Sequence, residues 1–246
     1  MSAAILDYEI RSSYQAGATS LRLLPPADPA RPFVHLYILP VNPRLEKRWG
    51  DGLEAARQLG LGERWNLLAI APSFSDWPWY ADHPANPALR QESYLIHEIL
   101  PRVEALYPAA NPRRLLLGFS KSGNGAFSLL LRRPDLFHAA AAWDAPLMKT
   151  RPDEFEMPAV YGSAQNFAHY ALPGLFRQQA ELLRQSAPRL GLFGFGGFRE
   201  HLHAAHELLE RLHIPHVYAD GPRREHRWDS GWLAAAAQFL LTDCGA

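Results

Sequence analysis

The most informative segment of the chain is residues 115–127, which read LLLGFSKSGNGAF. The leucines predict a buried strand, the apolar spacing after the serine predicts an amphipathic helix, and Ser120 lies in the tight turn between them. Gly118 and Ser122 are small enough to let the helix approach the strand while the Ser120 hydroxyl stays accessible at the helix N-terminus. The pattern is that of a nucleophile elbow, although Ser122 stands where the usual Gly-x-Ser-x-Gly motif has glycine. A simpler interpretation is that Ser120 or Ser122 only caps the helix.

On both sides of this turn, short apolar segments alternate with longer segments of helical spacing. This alternation predicts an α/β fold with a mostly parallel central sheet and helices on both faces. Pro101 is expected to kink or split the second helix. The predicted strands are residues 8–11, 20–24, 33–39, 66–71, 114–118, 138–143, 190–195 and 216–219, of which the first two are expected to form an antiparallel edge. The predicted helices are residues 52–59, 91–106, 123–132, 172–185, 200–212 and 230–241.

The chain is predicted to form one domain over residues 1–246. No internal repeat or linker interrupts it. Residues 145–188 make the longest connection between two predicted strands and mix prolines with aromatic residues. We expect this segment to form a small cap over a site.

Composition excludes several classes of protein. Twenty-five Lys and Arg residues balance 25 Asp and Glu residues, so no net positive charge favours nucleic acid. The apolar runs are too short to span a membrane, and no secretory signal is visible at the N-terminus, so a cytoplasmic location is expected. The single cysteine, Cys244, excludes an intrachain disulfide and a cysteine-based zinc site. Chemistry is therefore expected from serine, histidine and carboxylate groups.

Residues 118–127, followed by RPDLF at residues 133–137, resemble the Gly-x-Ser-Met-Gly-Gly-x-Gly-Ala…Pro-Asp-x-Phe signature of the esterase D-like (putative esterase) family of α/β-hydrolases. Residues 79–82, 91–95 and 98–104 are similar to the family's segment between its fourth and fifth strands, and residues 225–232, EHRWDSGW, resemble its His-x-Trp-x-x-Trp ending. The resemblance covers most of residues 33–240. It implies an α/β-hydrolase fold and the activity of a serine esterase or thioesterase, with acyltransferases as relatives.

His226 is the candidate base that activates Ser120. A serine hydroxyl is a poor nucleophile until a base removes its proton, and histidine titrates near neutrality. His226 follows the last predicted strand on a polar loop, where the fold carries its catalytic histidine, and it belongs to the segment that resembles the family ending. The alternative is a loop histidine beside structural tryptophans.

The acidic partner of this histidine is open to more than one assignment. The usual position follows the strand at residues 190–195, where Glu200 is the nearest carboxylate and can be explained by the helix dipole alone. Asp144 follows the preceding strand, keeps the order Ser, Asp, His, and would be costly to bury without a partner such as a histidine N–H. We favour Asp144 over Glu200 and Asp220, and the absence of any acid remains an alternative.

The oxyanion hole is predicted to consist of two backbone N–H groups. One belongs to Lys121, directly after the candidate nucleophile. The second comes from the loop after the third strand, where Pro40 has no N–H, so Val41 is the expected donor and Asn42 the alternative. The His-Gly pair that the family usually has in this loop is absent.

Aromatic residues are expected to line the substrate site. Trp77, Trp79 and Tyr80 follow the fourth strand, and Trp228 lies close to His226. They could form a wall for an acyl, aryl or sugar-linked group, or they could belong to the core. We select Trp79, Tyr80 and Trp228 as substrate contacts.

Together these features predict a carboxylesterase that hydrolyses a small-molecule ester through an acyl-enzyme intermediate without metal or cofactor. His201, His203 and His206 share a predicted helix but match no known metal motif. The alternative is a non-catalytic binding protein, because Ser122, the missing His-Gly and the missing acid after the seventh strand all depart from the family. Acyl and alcohol specificity and oligomeric state are not determined at this level.

Overall fold

A computed structural model describes residues 4–109 and 112–243, so that Cys244 lies outside the described residues. Its centre is an eight-stranded sheet in the order β1-β2-β4-β3-β5-β6-β7-β8. β1 pairs with β2, and β2 with β4, in antiparallel orientation, whereas β3 to β8 pair in parallel. The strands are β1 (Leu6–Ile10), β2 (Thr19–Leu24), β3 (Val34–Ile38), β4 (Leu67–Pro72), β5 (Arg114–Phe119), β6 (Ala139–Trp143), β7 (Leu190–Phe195) and β8 (His216–Arg223). The predicted α/β fold and its antiparallel edge are confirmed.

Helices cover both faces of this sheet. The α-helices are α1 (Gly52–Gln58), α2 (Leu61–Trp65), α3 (Gln91–Tyr94), α4 (Leu100–Leu106), α5 (Lys121–Arg132), α6 (Met157–Tyr161), α7 (Ala164–Ala168), α8 (Leu172–Arg184), α9 (Arg199–Arg211) and α10 (Leu233–Gln238). Among the described residues, no helix is both long and apolar enough to span a membrane.

Alternation along the central strands decides which face each helix covers. In β5, Leu116 faces a core formed with α3 to α5, α8 and α9, whereas Leu115 and Leu117 face a second core formed with α1, α2 and α10. Successive strand residues point to opposite faces, so a strand buried on both faces must be apolar throughout. β6 meets this requirement with four alanines, and their small size lets α5 pack closely against it.

Several element boundaries differ from the sequence-based predictions. The helix predicted over 91–106 is interrupted near Pro101, as expected, but the interruption is a π-helical segment (Leu95–Ile99). Pro101 follows it in the first turn of α4, where it needs no hydrogen-bond donor. β8 runs four residues beyond its predicted end because a register irregularity in β7 lets Phe195 pair with Arg223. The last helix begins at Leu233 rather than residue 230, after Gly231 with φ of 93°.

The connection between β6 and β7 contains α6, α7 and α8, which pack in two different places. α8 packs its apolar face into the main core. α6 and α7 instead form a separate small cluster with Trp79 and Ala81 from the loop after β4. Residues 155–170 therefore form a distinct layer beside the carboxyl ends of the strands, where ligands bind in open α/β sheets.

Candidate active site

Ser120 lies between β5 and α5 in a conformation that L-residues seldom adopt, with φ of 55° and ψ of −134°. Such a conformation costs about 1–3 kcal/mol and persists only where the surroundings hold it. Here the N–H of Ser120 donates to the Trp143 carbonyl at 3.1 Å, and its carbonyl accepts from the N–H of Gly123 at 3.0 Å. The turn therefore has the strained geometry of a nucleophile elbow.

Small residues make this turn possible. A Cβ atom on Gly118 would lie 2.2 Å from the Ser122 carbonyl oxygen, and one on Gly125 would lie 2.0 Å from the ring of Tyr80. Ser122 is fully buried, and its hydroxyl donates to the Phe119 carbonyl at 2.8 Å and accepts from the Phe119 N–H at 3.0 Å. The serine that replaces the usual glycine thus fixes the strand end that precedes Ser120.

Asp144 and His226 are joined by a short hydrogen bond. His226 Nδ1 lies 2.5 Å from Asp144 Oδ2, which leaves Nε2 as the other ring nitrogen of His226. Asp144 is fully buried directly after β6, and it also accepts from the backbone N–H groups of Gly197 at 2.9 Å and Phe198 at 2.6 Å. Burial raises the pKa of Asp144, but the hydrogen bonds from His226 and from these backbone groups outweigh it and bring the pKa below its usual value.

The loop after β7 surrounds this carboxylate instead of supplying one. A Cβ on Gly196 would lie 2.6 Å from Asp144 Oδ2, so the glycine at this position lets the backbone close around Asp144. Glu200 is exposed in the first turn of α9, and Asp220 is paired with Arg199. Of the three carboxylates considered from the sequence, Asp144 is the one that contacts His226.

Aromatic rings enclose His226. The centroid of its ring lies 4.5 Å from that of Phe119, 5.2 Å from Trp49 and 5.9 Å from Phe198. Trp49, in the loop after β3, and Phe198, before α9, were not recognised in the sequence. These contacts restrict rotation of the ring and shield its hydrogen bond to Asp144 from water.

A cavity of about 250 Å³ joins these groups. Ser120, His226, Val41 and Lys121 all line it, so the structure brings the candidate nucleophile, base and oxyanion donors to one place. Lys121 is the first residue of α5, where the N–H has no partner within the helix. Asn42, the alternative donor, also lines the cavity.

The predicted aromatic wall is formed in part by other residues. Trp77, Trp79, Trp49, Phe155 and Phe198 line the cavity. The structure does not bring Tyr80 and Trp228 to it: the hydroxyl of Tyr80 donates to the Pro40 carbonyl at 2.5 Å, and Trp228 packs in the core against Phe119 and Trp232. Tyr80 thus supports the loop that carries Val41. Trp228 supports the Phe119 ring, which in turn packs against His226.

The side chain of Lys121 closes one side of the cavity. Its Nζ lies 3.2 Å from Glu156 Oε2 and 4.2 Å from the centre of the Trp77 ring. Burial lowers the pKa of Lys121, and the nearby Glu156 carboxylate opposes that shift. Phe155 and Glu156 both have positive φ, and Trp79 Nε1 donates to the Phe155 carbonyl at 2.7 Å. The sequence analysis did not identify Glu156. Its position depends on the positive φ angles of Phe155 and Glu156, which tertiary contacts impose and no local sequence pattern indicates.

The histidines of α9 take separate roles away from this cavity. His201 Nδ1 accepts from the Met148 N–H at 3.0 Å, and exposed His203 faces Glu207 at 3.5 Å. His206 contacts His216 on β8, and these two form with Glu210 the one set of three clustered metal-ligand side chains found among residues 4–109 and 112–243. The sequence did not connect His216 with the histidines of α9.

The fold agrees with comparisons to known proteins. Residues 72–182 match the family described as "Putative esterase". No curated protein matches the chain. Similar solved structures include a ferulic acid esterase with 19% identity, covering 98% of this chain and 97% of that one with a TM-score of 0.74. An S-formylglutathione hydrolase from Agrobacterium tumefaciens has 15% identity, 98% and 95% coverage and a TM-score of 0.72. A Staphylococcus aureus fluorophosphonate-binding serine hydrolase has 18% identity, 99% coverage of both chains and a TM-score of 0.73.

At these identities the structural similarity establishes the fold, which is that of an α/β-hydrolase. The family match and the elbow at Ser120 narrow the class. Residues 72–182 match the putative esterase family, and the class of protein that this match and the fold define is an esterase of the α/β-hydrolase fold.

Proposed function

We propose that the protein is a carboxylesterase in which Ser120, His226 and Asp144 form the catalytic triad. The observation that carries this proposal is the 2.5 Å hydrogen bond between His226 Nδ1 and Asp144, beside the cavity that Ser120 also lines. The hydrogen bond assigns the proton to Nδ1, because a carboxylate only accepts, so Nε2 is left with the lone pair that a general base needs.

The reaction then follows in two halves. His226 Nε2 takes the proton of Ser120 as Oγ attacks the ester carbonyl, and the N–H groups of Lys121 and Val41 stabilise the oxyanion. Collapse of this intermediate expels the alcohol, which receives the proton from His226, and leaves an acyl group on Ser120. Water, deprotonated by His226, attacks the acyl-enzyme and releases the acid. Asp144 orients the ring and stabilises its positive charge throughout.

The cavity favours a compact, uncharged or aromatic acyl group. Its walls carry five aromatic side chains, the charge of Lys121 is paired with Glu156, and the guanidinium of Arg48 lies over the Trp49 ring. A volume of about 250 Å³ holds a group of modest size. We infer that short acyl or aryl esters are the substrates.

Two departures from the family pattern have physical substitutes that support catalysis over a binding role. Ser122 holds Phe119 by two hydrogen bonds where the family has glycine, and the loop after β7 offers backbone donors to Asp144 where the family has an acid. A protein that only binds a ligand would not require a buried carboxylate hydrogen-bonded to a histidine, next to a serine in a strained backbone conformation.

The test measures intact mass after treatment with a fluorophosphonate, and hydrolysis of p-nitrophenyl acetate. We expect one label on the wild type and none on Ser120→Ala. Asp144→Asn should reduce turnover about 10³–10⁴-fold, because the ring is then held in the wrong tautomer. Ser128→Ala is the matched control, since Ser128 is a buried serine of the same helix outside the cavity.

Ser128→Ala should label and turn over like the wild type. Labelling that persists in Ser120→Ala would overturn the nucleophile. Unchanged turnover in folded Asp144→Asn would overturn the assignment of the acid.

A further inference from the structure

Three potential metal ligands converge between α9 and β8. His206 and Glu210 are one turn apart on α9 and so share a face of the helix, and His216 is the first residue of β8 beside them. Their ligand atoms all lie within 4.8 Å of one another. His206 Nδ1 is 2.8 Å from His216 Nε2, and His216 Nε2 is 3.9 Å from Glu210 Oε1.

His216 is already prepared as a ligand. Its Nδ1 lies 2.8 Å from the Ile214 carbonyl, which can only accept, so Nδ1 carries the proton and the lone pair is on Nε2. Its side chain is only 2% exposed, which fixes the ring. A metal-bound histidine characteristically donates its other ring N–H to a backbone carbonyl or carboxylate in this way.

His206 and Glu210 complete the set from the exposed side. The ring of His206 is stacked on Tyr218 at 4.1 Å, which restricts its orientation, whereas the side chain of Glu210 is 66% exposed and can swing toward an ion. Without metal, the Nδ1–H of His206 donates to Nε2 of His216. With metal, the His206 proton moves to its own Nε2, and the two ligand nitrogens separate to about 3.3 Å, as tetrahedral bonds of about 2.0–2.1 Å require.

We propose that His206, Glu210 and His216 form a binding site for Zn²⁺ or a similar borderline divalent cation, with water in the remaining position. Two imidazoles and one carboxylate suit zinc better than Mg²⁺ or Ca²⁺, which prefer oxygen ligands. The site lies where β8 begins, whereas Ser120 and Asp144 follow the carboxyl ends of β5 and β6. Its expected role is to tie α9 to the edge strand β8, and it does not depend on the proposed esterase activity.

The same helix provides a matched control. His203 and Glu207 repeat the His-x-x-x-Glu spacing at 3.5 Å on an exposed face, but no third metal-ligand side chain of residues 4–109 and 112–243 clusters with them. Both pairs therefore have the same spacing on the helix, but only His206 and Glu210 have a third potential ligand, His216, beside them. Comparing the two pairs separates a built site from weak binding by surface histidines.

The experiment titrates the full chain, freed of metal by a chelator and dialysed, with Zn²⁺ in a calorimeter. We expect one high-affinity Zn²⁺ per chain, at least tenfold weaker binding in His206→Gln and Glu210→Gln, and unchanged binding in His203→Gln and Glu207→Gln. Co²⁺ should give the visible absorption of a tetrahedral complex in the wild type and lose it in His206→Gln.

Glu210→Gln changes an exposed side chain, so it keeps the test decisive even if His206→Gln folds poorly. Circular dichroism reports folding of each variant, independently of the proposed esterase activity. The proposal is overturned if the wild type binds no Zn²⁺ with a defined stoichiometry, or if folded Glu210→Gln and Glu207→Gln lose affinity equally. In either case the contact between His206 and His216 is an ordinary hydrogen bond.

Discussion

At the scale of single residues, Ser122 illustrates how this chain replaces a motif glycine. Ser122→Ala removes both hydrogen bonds to Phe119 and leaves buried backbone groups there without a side-chain partner. We expect the free energy of unfolding to fall by about 1–3 kcal/mol in Ser122→Ala, and by about 1 kcal/mol more in Ser122→Gly because glycine is unfavourable in a helix. Urea denaturation measures both values. A Ser122→Gly variant more stable than the wild type would show that the hydroxyl contributes nothing.

At the scale of secondary-structure elements, α1 depends on Asp51 for its start. Asp51 accepts from the N–H groups of Leu53 and Glu54 at 3.1 and 3.2 Å and is paired with Arg22 at 2.8 Å. Asp51→Asn retains the cap and loses the charge, whereas Asp51→Ala loses both, so we expect the alanine variant to be about 1 kcal/mol less stable than the asparagine variant. Equal stability would contradict a capping role.

The charge of Asp51 adds a pH dependence to this comparison. Burial raises the pKa of Asp51, but hydrogen bonds from Lys47 and Arg22 outweigh it and bring the pKa below 3.8. A carboxyl whose pKa is lowered by folding stabilises the fold above its unfolded pKa, and loses that contribution as the pH falls through the folded value. The stability gap between wild type and Asp51→Asn should therefore be constant from about pH 7 to pH 5 and narrow below about pH 3.8. Urea denaturation of both variants across this pH range measures the gap. A gap that widens in acid would contradict a lowered pKa of Asp51 in the folded state.

At the scale of the whole molecule, one ion pair connects three parts of the fold. Arg132 on α5 donates to Glu92 on α3 at 2.9 Å and to the His169 carbonyl at 2.9 Å, and the Tyr170 hydroxyl donates to Glu92 at 3.0 Å. This network attaches the layer of residues 155–170, and with it Glu156, to the main domain. Glu92→Gln leaves the partly buried Arg132 without its hydrogen-bonded carboxylate. We expect the free energy of unfolding to fall by about 2 kcal/mol, because solvent and the nearby charge of Asp82 offset part of the loss.

Hydrogen exchange should show where this loss is felt. Amides of residues 157–170 should exchange faster in Glu92→Gln, while those of β5 stay protected, because local opening does not require the sheet to unfold. The control is Asp135→Asn, which breaks the neighbouring exposed pair with Arg133 and should change stability by less than about 1 kcal/mol. Uniform acceleration over the whole chain would contradict a local attachment.

The fold could be predicted from the sequence because its signals are local and periodic. Apolar runs such as that of β5 and the small residues around Ser120 depend on contacts within a few positions, and backbone sterics then require an elbow. The end of β8 and the π-helical form of the interruption before Pro101 were less predictable, because register and π-helical hydrogen bonding respond to packing between elements.

Residue types and their local pattern were enough to predict the α/β fold, the candidate nucleophile and a short set of histidine and carboxylate candidates, because few side chains can act as nucleophile, base or acid. The choice of Asp144 over Glu200 and Asp220 as the partner of His226 came from the folded chain, since 82 residues separate Asp144 from His226 in sequence. The folded chain also places Trp49 and Glu156 in the cavity wall. Tyr80 and Trp228 instead pack behind the site, against the Pro40 carbonyl and the Phe119 ring. Distances between residues far apart in sequence depend on how the loops at the strand ends fold over one another, and no periodicity along the chain encodes them.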